Sequence, residues 1–103
     1  MNDNFKPYYA VIFTSIKVEV DNNYTEIANK MVELATSQKG FIGVESARNE
    51  IGITVSYWES LEDINNWKNN AEHLIAQQLG RDFFYQSYTT RICKVEREYS
   101  FKK

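Results

Sequence analysis

The stretch GITVSYWESLEDINNWKNNAEHL, residues 52–74, holds the side chains of this chain best suited to chemistry: Trp58, Trp67 and the single histidine, His73. An indole offers a flat apolar wall with one N–H donor. An unperturbed imidazole titrates near neutrality, so His73 is the candidate catalytic base. One histidine with no companion histidine or ordered carboxylate spacing makes a poor metal set, and no metal site is expected. On an unbroken helix, six residues at about 3.6 per turn set Trp67 and His73 about 120° apart. The two would face one pocket only if the helix broke, and Asn69 and Asn70, poor helix formers, mark where a break would fall. Trp67 falls on the apolar stripe of its helix, where it serves either as core or as a pocket wall against a flat ligand. Trp58 ends a strand, with the helix-side core, the subunit interface or a ligand as possible neighbours.

Other candidates lie on strands. Tyr9, Tyr57, Tyr88 and Tyr99 can each bury a ring and keep one hydroxyl bonded, which suits a pocket for an oxygenated aromatic and suits an interface equally well. Tyr9, Tyr57, Trp58, Trp67 and Arg91 are the candidate substrate-binding residues. Arg91 could meet a substrate oxyanion or form an ion pair across the sheet. Arg48 is read as a paired or wet-edge charge, with Glu45 on the opposite strand face. Cys93 has no local histidine or helix N-terminus to activate it and reads as an inert core thiol. There is no GxGxxG, P-loop, CxxC, HExxH or GxSxG. A Rossmann-bound flavin or nicotinamide is excluded by length as well.

These residues need a scaffold that 103 residues can supply as one domain, 1–103, with a core from about 8 to 101. Apolar residues make up 43% and aromatics 15%, with four Gly and one Pro, a globular composition whose aromatic surplus must be buried somewhere. A net charge of −2 with mixed signs gives no electrostatic case for nucleic acid or an anionic membrane. No apolar run approaches the roughly 20 residues of a membrane span, and the N-terminus has no signal-peptide pattern. One cysteine forms no internal disulfide and agrees with a reducing cytoplasm.

YYAVIFTSIKV, residues 8–18, predicts a strand apolar on both faces, with Tyr9, Val11 and Phe13 on one side and Tyr8, Ala10 and Ile12 on the other. Asn23 with Glu26 predicts a capped helix carrying Ile27, Met31, Leu34, Ala35 and Gln38 inward and stopping at Gly40. FIGVESAR and GITVSYWE predict a hairpin turning at Asn49–Ile51. Ser60 with Asp63 starts a second helix, with Leu61, Ile64, Trp67, Ala71, Leu74, Ile75 and Gln78 inward and Gly80 as its stop. RDFFYQ is a connector, and SYTTRICKVEREYSF predicts the last strand, with Thr89, Arg91, Cys93, Val95, Arg97 and Tyr99 on one face. The order strand, helix, strand, strand, helix, strand suits a ferredoxin-like α+β sandwich: a four-stranded antiparallel sheet with two helices on one face. The other face, apolar and rich in tyrosine, predicts sheet-to-sheet packing of two copies in an isologous homodimer.

With these segments in place, GFIGVESAR, GITVSYWESLEDINNWKNNAEH, GRDFFYQSY and VEREY, the chain resembles the antibiotic biosynthesis monooxygenase (ABM) family of dimeric α+β barrels from about Tyr8 to Phe101. That resemblance implies the fold and the dimer. Resemblance to its cofactor-independent members implies O₂-dependent oxidation of a small aromatic or quinol-like substrate in a pocket between helices and sheet, with no cofactor. A haem-degrading branch of the same superfamily uses a Trp and a His on the second-helix segment and an Asn on the first strand. Trp58 and Trp67, nine apart, resemble that branch, but His73 follows Trp67 closely and YYAVIFTSI contains no Asn. Haem bound through His73 is therefore the weaker alternative, and a non-catalytic small-molecule-binding dimer the stronger one.

Overall fold

The computed structural model describes the backbone of residues 5–17, 24–78 and 85–103, and their side chains except at positions 24, 25, 27 and 73–78. Six elements follow in the order β1 (Tyr8–Lys17), α1 (Tyr24–Thr36), β2 (Phe41–Arg48), β3 (Gly52–Trp58), α2 (Leu61–Gln78) and β4 (Tyr85–Val95). The strands form one antiparallel sheet in the order β2-β3-β1-β4, the ferredoxin-like arrangement. β1 is central because its run of β-branched and aromatic residues can be covered on both faces.

Alternation along β1 divides the sheet. Tyr9, Val11, Phe13 and Ser15 face the helices, while Tyr8, Ala10, Ile12 and Thr14 face the open side. On the helix side Val11, Ala35, Trp58 and Ile64 form the buried cluster, with Tyr9, Phe41 and Trp67 packed against it. Trp58 is its centre, fully buried and flanked in register by Tyr9 and Phe41. Its Nε1 donates to Ser56 Oγ at 2.9 Å, so the one polar atom of the ring is satisfied inside the core.

The helix ends follow local chemistry. Ser60 Oγ accepts from the Asp63 backbone N–H at 3.0 Å and donates to the Asp63 carboxylate at 2.8 Å, which closes the cap of α2. This draws Asp63 inward to 7% exposure, while Leu61, expected on the inner stripe, is exposed. After α1, Gly40 takes a left-handed φ of 84°, and the space a Cβ would need there is filled by the Asp63 carboxylate. The Gly40 carbonyl in turn accepts from the Glu59 N–H at 2.8 Å, tying the entry of β2 to the exit of β3.

Two expectations need correction, and one alternative left open by the sequence is decided. α2 does not break at Asn69 and Asn70; Asn70 Nδ2 instead donates to Gln38 Oε1 at 3.1 Å, holding the helix to the turn after α1. The last strand begins at Tyr85 and ends at Val95, so Arg97 and Tyr99 lie beyond it, because β1, its pairing partner, starts at Tyr8 opposite Val95. Cys93 is exposed on the open face opposite Ala10, not a core thiol. The expected cap at Asn23, the stop at Gly80 and most of the RDFFYQ connector lie outside the described residues.

Candidate functional site

Between the helices and the sheet lies a cavity of about 740 Å³, within the size range of small-molecule sites. Its position follows from the elements. β1 contributes Val11 and Phe13, α1 contributes Met31, Val32 and Ala35, and α2 contributes Ile64 and Trp67, so the wall is chiefly apolar. Polar groups enter at the rim and floor: Ser46 and Arg48 from β2, Thr54 and Ser56 from β3, and Lys68 and Glu72 from α2.

Trp67 is the site's most informative residue. Its ring lies 5.3 Å from Trp58, centroid to centroid, and the Trp58 ring is braced in turn edge-on by Phe41 at 5.5 Å. The Trp67 Nε1 is buried and has no hydrogen-bond partner, alone in this among the described residues. A buried donor left unmade costs about 1–3 kcal/mol, so a fold keeps one only where something else is gained. An acceptor on a ligand in the cavity would relieve it.

Aromatic rings also line the β4 end. Phe13 stacks on Tyr88 at 5.4 Å and 28°, and Tyr85 meets both edge-on at 5.4 and 5.8 Å. Arg48, exposed at the end of β2, donates from Nη2 to Ser15 Oγ at 2.6 Å.

The structure brings together only part of the set singled out in the sequence. Trp67 lines the cavity. Trp58 and Tyr9 lie behind it in the core. Tyr57 and Arg91 lie on the other face of the sheet, Tyr57 in edge contact with Tyr8 at 5.9 Å and Arg91 exposed opposite Ile12. On that face the Tyr57 hydroxyl donates to Glu45 Oε1 at 2.9 Å. This bond to a carboxylate, then burial and the Glu45 charge, pushes the Tyr57 pKa upward; Tyr8 is pushed up likewise, first by its hydrogen bond to Glu98. His73 belongs to α2, but its side chain lies outside the described residues. Arg48, Tyr85 and Glu72 were missed as cavity residues. For Arg48 the signal was present, since it shares strand parity with Val44 and Ser46 on the helix-facing side. Among the described residues no group of three or more His, Cys, Asp or Glu side chains could hold a metal ion, and no helix is long and apolar enough to cross a membrane.

Residues 7–79 match the family described as antibiotic biosynthesis monooxygenase. An uncharacterized protein of Bacillus subtilis (strain 168), YqjZ, is 50% identical over 99 residues, covering 94% of this chain and 87% of that one. Among solved structures, PA3566 from Pseudomonas aeruginosa superposes with a TM-score of 0.68 at 13% identity, over 91% of this chain and 97% of that one. SnoaB, a cofactor-independent oxygenase from Streptomyces nogalater, gives 0.67 at 8% identity, over 93% and 98%. At such low identity these two likenesses speak for the fold.

Proposed function

Because this chain belongs to the antibiotic biosynthesis monooxygenase family, we propose that it is a cofactor-independent monooxygenase acting on a small aromatic or quinol-like substrate in the cavity beside Trp67. The observation that carries this reading is the buried, partnerless Trp67 N–H on the wall of a mainly apolar cavity. A phenolic or carbonyl oxygen would accept that hydrogen bond while the ring system lies against the apolar wall. The description of SnoaB as cofactor-independent supports the absence of a cofactor here.

The chemistry follows from the substrate. Removing a proton from a phenol or an activated ring methylene leaves an electron-rich anion that can reduce O₂ directly. Addition of O₂ at that carbon and loss of water turns a methylene into a carbonyl. One oxygen atom enters the product, the other leaves as water, and the substrate supplies all four electrons. Trp67 would hold the developing oxyanion, a contact that strengthens as charge appears. Because α2 runs unbroken, Glu72, a cavity residue on that helix, is the proposed base, and His73, the next residue of α2, is the second group to test.

The experiment is O₂ uptake with a panel of anthrones and naphthoquinols. Trp67→Phe keeps an aromatic wall and deletes the donor; kcat/KM should fall about tenfold, the equivalent of a hydrogen bond of roughly 1.4 kcal/mol. With Glu72 as the base, Glu72→Gln should lower kcat/KM about a hundredfold while His73→Asn leaves it near the wild-type value, and the reverse outcome would make His73 the base. No O₂ uptake with any of the panel, with binding retained, would favour the non-catalytic binding dimer.

A further inference from the structure

The open face of the sheet carries its charges in a definite order. In register, Glu45 on β2 stands opposite Val55 on β3, Val55 opposite Ile12 on β1, and Ile12 opposite Arg91 on β4. Directly opposed residues point to the same face. These four therefore form one row across the open side: an acid, two aliphatic side chains, a base. Glu45 and Arg91 stand exposed on the two edge strands, and Val55 and Ile12 between them are partly buried. Three strand spacings, about 14 Å, separate the two charges within one chain. Among the described residues neither joins an ion pair; Glu45 accepts only from the Tyr57 hydroxyl, a neutral donor.

A row of this order is complementary to itself when turned over. Consider two sheets face to face about a twofold axis parallel to the strands and midway between β1 and β3. Each β2 then lies over β4 of the other chain, and each β3 over β1. Val55 meets Ile12 of the partner subunit, and Glu45 faces Arg91 of the partner subunit at both rims. The next row, Gly43, Tyr57, Ala10 and Cys93, behaves likewise, its large Tyr57 opposite the small Ala10 of the partner subunit. An axis across the strands would instead lay β2 on β2 and β4 on β4, so that no Glu45 could reach an Arg91. We infer that a second copy of this chain occupies the open face in the first arrangement, with two symmetry-related pairs of Arg91 and Glu45 fixing its orientation. Packed sheets lie about 10 Å apart, a gap that long arginine and glutamate side chains span together. Rim charges of this kind set orientation and choice of partner more than affinity. The pairing does not depend on what the cavity binds.

The test is the dimer dissociation constant, measured by sedimentation equilibrium. Arg91→Glu and Glu45→Lys each set like charges together at both rims and should each raise it at least tenfold. Both positions are exposed, so circular dichroism should be unchanged. The double variant restores opposite charges and should dimerise within about threefold of the wild type. Neutral variants give a second reading: Arg91→Gln and Glu45→Gln should each weaken the dimer several-fold, and both together no more than either alone. Charge reversals that dimerise like the wild type would overturn the pairing and leave a sheet-to-sheet dimer of another symmetry. A double reversal as weak as the single ones would overturn it as well. A wild-type monomer at micromolar concentration would overturn it outright and leave the face to a different protein.

Discussion

At the scale of single residues, the division of labour among aromatic groups depends on which side of the sheet each one meets. Trp58 and Trp67 touch, yet they differ in chemistry: the Trp58 N–H donates to Ser56, and the Trp67 N–H has no partner. Tyr57, which shares strand parity with Val55, donates its hydroxyl hydrogen to Glu45 on the open face. A neutral phenol donates to a carboxylate and a phenolate cannot, so the folded state favours the protonated form and raises the pKa above its ordinary value of about 10. The stability this adds is complete below that ordinary value and is lost as pH rises through the higher folded value. Glu45→Gln should therefore lower the pH at which Tyr57 ionises, read as a shift of the alkaline absorbance titration against a Tyr57→Phe reference. An unchanged titration would remove Glu45 as the cause.

At the scale of elements, the turn after α1 and the cap of α2 form one joint. Gly40 has a left-handed backbone, the Asp63 carboxylate fills the space beside it, and Ser60 holds Asp63 there. Gly40→Ala carries two costs, one for the backbone, about 1–2 kcal/mol, and another for displacing a buried carboxylate. Denaturant unfolding should show a loss of at least about 2 kcal/mol, whereas Gly43→Ala, with open space around the added carbon, should stay within about 0.5 kcal/mol. Equal effects at the two glycines would show that the joint does not bear on stability. The cap at Ser60 and Asp63 was legible from the SxxD spacing, because capping is a local event between residues three apart. That Asp63 would meet Gly40 was not legible, since it depends on how α1, β2 and α2 come together.

At the scale of the whole molecule, the open face of the sheet remains to be explained. Ile16 and Ile53 on it are 42% and 45% exposed, and Ile12, Val55, Tyr8 and Tyr57 lie between or beside them. Among the described residues this apolar sheet face marks an interaction surface, and we propose that a second copy of the chain covers it, sheet against sheet. Ile53→Asp places a charge there without touching the helix-side core. Light scattering should report twice the chain mass for the wild type and a single chain mass for the variant, with unchanged circular dichroism. A wild-type monomer at micromolar concentration would sink the proposal.

The sequence by itself determined the order of the elements, the turn at Asn49–Ile51, the cap of α2 and the two faces of β1, because each rests on residues within a few positions of one another or on strict alternation. Only the tertiary structure decided which aromatics share the cavity. Parity sets Tyr57 and Trp58 on opposite faces, but the face that receives the helices is chosen by the packing of Ala35 and Ile64 on Val11 and Trp58. The row from Glu45 through Val55 and Ile12 to Arg91 was equally beyond a linear reading. Its members come from four strands, and their alignment is a matter of register, which the hydrogen-bonded ladders set across the whole sheet.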